Sequence, residues 1–122
     1  MVIVNNPLNS KKSFINIIEG EKNIVVFRFT SVSCGPCQTV KPMIEEFKEK
    51  IKDNSEIHWY DIDTDESIEV FGMLKTKRIV NGIPAIICYM DENNSIYPDE
   101  FVLGADKKQL DILFDKLLKY SN

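Results

Sequence analysis

The chain has 122 residues, 43 % hydrophobic and 28 % charged, with a formal net charge of −4. That balance is one of a globular chain long enough for one core, and the acidic charge argues against a binder that lives on nucleic-acid phosphates. Three cysteines are too few for a secreted disulfide scaffold, and no apolar run approaches the length of a membrane span.

Val2 to Val4 reads as a short first strand. Asn9 or Ser10 can then cap a helix, because a short side-chain oxygen accepts an orphan backbone N–H. Phe14, Ile17 and Ile18 give that helix an apolar face, and Gly20 is a stop. Ile24 to Phe29 is almost continuously β-branched or aromatic, as in a strand buried on both faces. Arg28 interrupts it. A helix is expected from Cys34 to about Lys52, with Val40, Met43, Ile44, Phe47 and Ile51 as its buried stripe and a kink at Pro42.

The next strand is expected from Ile57 to Ile62, followed by a helix from Asp65 to about Lys77 with Ile68, Phe71 and Leu74 on its inner side. The basic run Lys75 to Arg78 reads as a helix C-terminus or a solvated face. Ala85 to Tyr89 is a further apolar strand. A polar turn at Asp91 to Ser95 leads to an antiparallel partner at about Glu100 to Leu103, with Pro98 tolerable near an edge-strand start. The last helix, about Lys107 to Tyr120, carries the clearest stripe: Leu110, Leu113, Phe114, Leu117 and Leu118. The order βαβαβαββα predicts an α/β fold, a central mixed sheet flanked by helices on both faces, in one domain over residues 1–122.

The chemistry points to Ser33-Cys34-Gly35-Pro36-Cys37. The spacing brings two sulfurs to one helix N-terminus, where unpaired N–H groups and the helix dipole stabilise a thiolate. Strand, CxxC, then helix is a redox pattern. A metal-binding reading is weaker, since two thiolates are half of a tetrahedral zinc site and no second Cys/His pair exists. Cys88, in an apolar strand, reads as an inert core thiol, and the lone His58 as solvent-facing and without a catalytic role. Trp59 reads as core, with a cation–π contact to Arg28 as the alternative. Asp61 to Asp65 starts like a calcium loop, but Glu66 and Gly72 stand where glycine and glutamate are required; the segment reads as a strand end and a helix cap.

This order, with Cys34-Gly35-Pro36-Cys37 at the second strand–helix junction, resembles the thioredoxin family. Pro42 corresponds to the family's helix-kinking proline, Ile83-Pro84 to its cis-proline dipeptide, and Gly104 to a glycine beside its active-site surface. The resemblance implies a thioredoxin fold and a protein-disulfide reductase. Cys34 is the implied nucleophile, Cys37 the resolving cysteine, and Gly35 and Pro36 the turn between them. Ser33, Ile83, Pro84 and Gly104 are the implied substrate-binding positions, with the backbone at Ile83 pairing with substrate in strand fashion. No bound cofactor or metal is implied. The partners are protein disulfides and a thioredoxin reductase or other dithiol donor, with no nucleic acid or membrane, and the state is a monomer. Absence of a secretory pattern at the N-terminus adds the expectation of a cytoplasmic location. With Gly-Pro between the cysteines, the expected potential lies near thioredoxin's, about −270 mV.

The sequence departs from the family in three ways. Ser33 and Thr30 replace aromatics beside the first cysteine. Arg28 stands where the family has a buried acid that helps the resolving cysteine. A buried guanidinium needs a partner, and Asp61 on the neighbouring strand is the candidate, with a snorkelling arginine as the alternative. Arg28 near the sulfurs would stabilise thiolate and make the pair a weaker reductant. The segment from Asp63 to Pro84 and the hairpin from Tyr89 to Gly104 are both longer than in compact members, and the first is the expected specificity element. An oxidase or isomerase, and a protein-interaction module on the same fold, are the alternative readings.

Overall fold

The structure, a computed structural model, describes residues 3–4, 10–20 and 23–121. The elements are β1 (Ile3–Val4), α1 (Lys11–Gly20), β2 (Ile24–Thr30), α2 (Gly35–Ile51), β3 (Ile57–Asp63), α3 (Ile68–Thr76), β4 (Ala85–Tyr89), β5 (Glu100–Leu103) and α4 (Lys107–Tyr120). They form one five-stranded sheet in the order β1-β3-β2-β4-β5. β1, β3 and β2 run parallel, and β4 and β5 are antiparallel to their neighbours. This is the expected mixed sheet. Val2 and Asn9, offered as strand start and helix cap, lie outside the described residues. Ser10 does cap α1, its Oγ accepting the Ser13 N–H at 3.1 Å.

Alternation along β2 builds two cores, because successive side chains of a strand point to opposite faces. Val25, Phe27 and Phe29 face α1 and α3 and join Phe14, Tyr60, Leu74 and Tyr89. Aromatic rings dominate there: Phe27 lies 4.6 Å from Phe14 and 5.2 Å from Tyr60 between centroids. Ile24 and Val26 face α2 and α4 and join Val40, Ile44, Phe47, Ile51, Trp59, Leu113, Phe114 and Leu117. Phe47 and Phe114 stack at 4.1 Å, joining α2 to α4, with about 1 kcal/mol beyond simple burial. Arg28 comes next in this second row, at the end of the sheet where β2 runs out toward Cys34.

Four expectations need correction. α3 starts at Ile68, not Asp65, because the preceding residues are held in a turn: Asp63 Oδ1 accepts the Asp65 N–H at 2.8 Å, and the Asp63 carbonyl accepts from Glu66 and Ser67. Asp61–Asp65 therefore ends a strand and closes a turn, rather than capping the helix. Its later start also changes the inner face. Val70 and Leu74 are buried and Phe71 half-buried, while Ile68 is 73 % exposed. His58 is half-buried rather than solvent-facing, with Nε2 3.2 Å from the Asn23 side-chain amide. The helix α2 runs from Gly35 to Ile51 with Pro42 inside it. Lys75, Lys77 and Arg78 are exposed at and beyond the end of α3, and Arg78 takes a left-handed φ of 61° as the chain turns back.

Candidate active site

The two cysteines sit where the end of β2 passes into α2. Ser31 O accepts the Cys34 N–H at 3.2 Å, closing the turn that delivers Cys34 to the helix. Cys34 is the N-cap of α2, and its Sγ accepts the Cys37 N–H at 3.1 Å. Pro36 lies in the first turn, where a missing N–H costs nothing. Cys34 and Cys37 are joined as a disulfide, with Cα atoms 5.2 Å apart. Cys34 is half-exposed and Cys37 is only 1 % exposed. Sulfur at the N-cap faces the positive end of the helix dipole, which favours the thiolate once the pair is reduced.

The substrate-binding candidates gather at the same end of the sheet. Ile83-Pro84 is a cis peptide, and Pro84 precedes Ala85, which pairs with Phe29 of β2. The Gly104 N–H donates to the Pro84 carbonyl at 2.8 Å, and Gly104 takes a φ of 101° that suits glycine. Ile83 is half-buried, Gly104 half-buried and Ser33 exposed. Thus Ser33, Gly35, Pro36, Ile83, Pro84 and Gly104 all lie around the end of β2 and the start of α2.

Arg28 is 5 % exposed and is paired with Asp61, its register partner on β3, at 3.4 Å. The cluster is larger than a pair. Arg28 Nη1 also donates to Glu45 Oε1 at 3.0 Å, and Lys48 Nζ reaches Asp61 Oδ2 at 2.5 Å and Glu45 Oε2 at 3.4 Å. Trp59 Nε1–H donates to Asp61 Oδ1 at 2.7 Å, so Trp59 holds the carboxylate and packs on Phe47 rather than on Arg28. Two cations and two carboxylates balance, as partly buried charges require.

Sequence reasoning missed Glu45 and Lys48. Both lie beside Ile44 and Phe47 on α2, and their spacing of three residues places them on one helix edge. It also missed Ser31, which is buried and donates to Asp65 Oδ2 at 2.8 Å while sharing a 3.1 Å contact with the Ser33 hydroxyl. Thr64 N–H donates to the Thr30 carbonyl at 3.0 Å, a second tie between these two loops. Burial, and then Glu100 and Asp99, push the Cys88 thiol up from its ordinary value, which keeps it protonated and inert. Among the described residues no cluster of His, Cys, Asp or Glu is arranged to hold a metal, and no helix is long and apolar enough to cross a membrane.

With this geometry in view, comparison with known proteins is specific. The family model for thioredoxin matches residues 6–116. The chain is 29 % identical over 114 residues to Thioredoxin H8 of Arabidopsis thaliana, covering 93 % of this chain and 68 % of that protein. It is 32 % identical over 82 residues to Thioredoxin-2 of Saccharomyces cerevisiae, covering 67 % of this chain and 72 % of that one. In fold it is similar to the crystal structure of thioredoxin from Trypanosoma brucei brucei, with a TM-score of 0.69 at 22 % identity, over 95 % of this chain and 92 % of the other.

Proposed function

Because this chain belongs to the thioredoxin family and is a dithiol protein-disulfide reductase of that type, we propose that Cys34 is its attacking sulfur and Cys37 its resolving one. The observation that carries this assignment is the difference in access: Cys34 is half-exposed at the helix N-cap, and Cys37 is 1 % exposed one turn in. The Cys34 thiolate attacks a substrate disulfide, forms a mixed disulfide and releases one substrate thiolate. The Cys37 thiolate then attacks Cys34 Sγ, forms the Cys34–Cys37 disulfide and releases the second. Two electrons pass to the substrate. A thioredoxin reductase or another dithiol donor returns them.

Ser33, Ile83, Pro84 and Gly104 form the docking surface in this reading, with Gly35 and Pro36 holding the turn compact. An extended substrate segment lies along the Ile83 backbone in strand fashion, which tolerates many sequences. Arg28 and Asp61 tune the pair. Residues 1–122 act as one domain and as a monomer in the cytoplasm, where reducing conditions keep the dithiol charged with electrons.

The test is an insulin-type disulfide-reduction assay driven by dithiothreitol. The protein accelerates reduction, Cys34→Ser abolishes the acceleration, and Cys37→Ser accumulates a mixed disulfide at Cys34. Reduction no faster than the dithiothreitol background would overturn the reductase reading. A stable adduct at Cys37 in Cys34→Ser, with none at Cys34 in Cys37→Ser, would reverse the two roles.

A further inference from the structure

A cavity of about 220 Å³ opens beside the dithiol, between α2 and the ends of β2 and β3. Its walls include Thr30 and Val32 from the approach to Cys34, and Gln38 and Lys41 from α2. Arg28, Ser31, Glu45, Asp61 and Asp63 complete it. Val32 precedes Cys34 by two residues, so their Cα atoms lie within about 7 Å, and Gln38 follows Cys37 directly.

Spare hydrogen-bonding capacity in this cavity is unequal. Glu45 Oε1 accepts from Arg28 and Lys48, and Oε2 faces Lys48. Asp61 Oδ1 accepts from Trp59 and Arg28, and Oδ2 from Lys48. All four oxygens are occupied. Asp63 retains one oxygen, since its Oδ1 takes the Asp65 N–H. On the donor side, Arg28 uses only Nη1 for both of its ion pairs, and among the described residues Nε and Nη2 have no protein partner. Lys41 makes no ion pair among the described residues, and the Gln38 amide adds a further donor. Thus a guanidinium that is nine-tenths buried offers its remaining N–H groups at a cavity wall, with an ammonium at the rim.

We propose that this cavity is a specificity subsite that receives the carboxylate of an acidic side chain flanking the cysteine of a disulfide substrate. The unused edge of Arg28 is a planar pair of donors that matches a carboxylate bidentately, and Lys41 adds charge where the side chain enters. Glu45 and Asp61 do not repel it strongly, because Arg28 and Lys48 already balance them, and the Lys41 ammonium offsets Asp63, the third carboxylate of the wall. A glutamate or aspartate within two residues of the attacked cysteine has the reach. The proposal rests on Cys34 being the attacking sulfur.

The experiment compares cysteine peptides, each activated as a mixed disulfide with thionitrobenzoate, carrying Glu or, in the matched peptide, Gln at both positions flanking the cysteine. First, Cys37→Ser protein is loaded at Cys34 with each peptide by chemical exchange, and the Arg28 Nε–H resonance is recorded. The Glu adduct shifts it relative to the Gln adduct. Second, kcat/KM is measured with the unmodified active site. The Glu peptide is preferred about tenfold, the worth of one charge-assisted hydrogen bond. The ratio falls toward one in Thr30→Trp, which fills the cavity, and in Lys41→Ala; a general loss of activity would leave it unmoved. Superimposable Arg28 resonances in the two adducts, or a ratio near one in the parent, would sink the proposal. Glutarate added to the unloaded protein is the control for a free carboxylate. A glutarate shift together with equal peptide adducts would place a free acid there and overturn the substrate-borne reading. A shifted resonance in the Glu adduct with no turnover of either peptide would uphold the subsite and overturn the reductase reading instead.

Discussion

The Ser31 hydroxyl donates to Asp65 Oδ2 at 2.8 Å, and that bond ties the approach to Cys34 to the loop after β3. Ser31 is also the residue whose carbonyl accepts the Cys34 N–H. One buried serine thus fixes the turn that sets Cys34 at the helix end.

Ser31→Ala removes this tie. Asp65 is exposed and can turn to water, so the cost is that of an ordinary hydrogen bond, about 1 kcal/mol, in urea unfolding of the oxidised protein. The pH profile for alkylation of Cys34 in the reduced variant should move to higher pH, because a looser turn holds the sulfur less firmly at the helix N-terminus. An unfolding midpoint and alkylation profile equal to the parent's would show that the bond carries no weight.

The face that α3 turns inward is tested by two truncations. Leu74 is fully buried, so Leu74→Ala costs about 3 kcal/mol through lost burial and the space left behind. Ile68 is 73 % exposed, so Ile68→Ala stays within about 0.5 kcal/mol of the parent. Equal losses in chemical denaturation would restore the inner face that simple helical spacing suggests.

Alkaline stability follows from two buried acids. Burial raises Cys88 from its ordinary 9.0, and burial followed by Cys88 and Asp99 raises Tyr89 from 10.0. In both cases the folded chain holds its proton where the unfolded chain releases it. The stabilisation is complete below the unfolded values and is lost as pH rises above about 9 and then 10. The slope approaches about 1.4 kcal/mol per pH unit for each group. Urea midpoints between pH 7 and 11 measure this, and Cys88→Ala should flatten the first part of the fall. A midpoint independent of pH to 10.5 would contradict the assignment.

Arg28→Gln leaves Lys48 as the one cation paired with Glu45 and Asp61 among the described residues and turns a balanced cluster into one with net negative charge. Negative charge beside the dithiol disfavours thiolate, so the variant should be the stronger reductant by equilibration with glutathione. It should also unfold more easily, by roughly 3 kcal/mol, the lower end of the cost of breaking a buried pair, because Glu45 is half in water. A potential unchanged or less reducing than the parent's would remove Arg28 from the tuning of the pair.

Much of this was legible in residues alone, for identifiable reasons. The β-branched run of β2, the stripe of α4 and the CxxC at a strand–helix junction are local patterns, and local patterns survive folding. The Arg28–Asp61 contact followed from one rule, that a buried charge needs a partner. Glu45 and Lys48 were not legible, because nothing local distinguishes them from other charges on an exposed helix edge; only the packing of α2 across the sheet makes them neighbours of Arg28. The start of α3 was misjudged for the opposite reason. Asp63 and Asp65 look like helix caps, but their hydrogen bonds serve the turn that Ser31 needs, so a tertiary contact displaced a local preference.

Arg28 also guards the pairing of the central strand. Sliding β2 by one residue against its neighbours exchanges the contents of its two faces. The guanidinium would then enter the aromatic layer of Phe14, Phe27 and Tyr60, with no carboxylate to meet it, and Phe29 would be pushed among Glu45, Asp61 and Lys48. A run as uniformly apolar as Ile24 to Phe27 has little else to fix its alignment. The one charge in β2 makes every neighbouring alignment costly, so the residue beside the chemistry also decides that the sheet assembles in a single way.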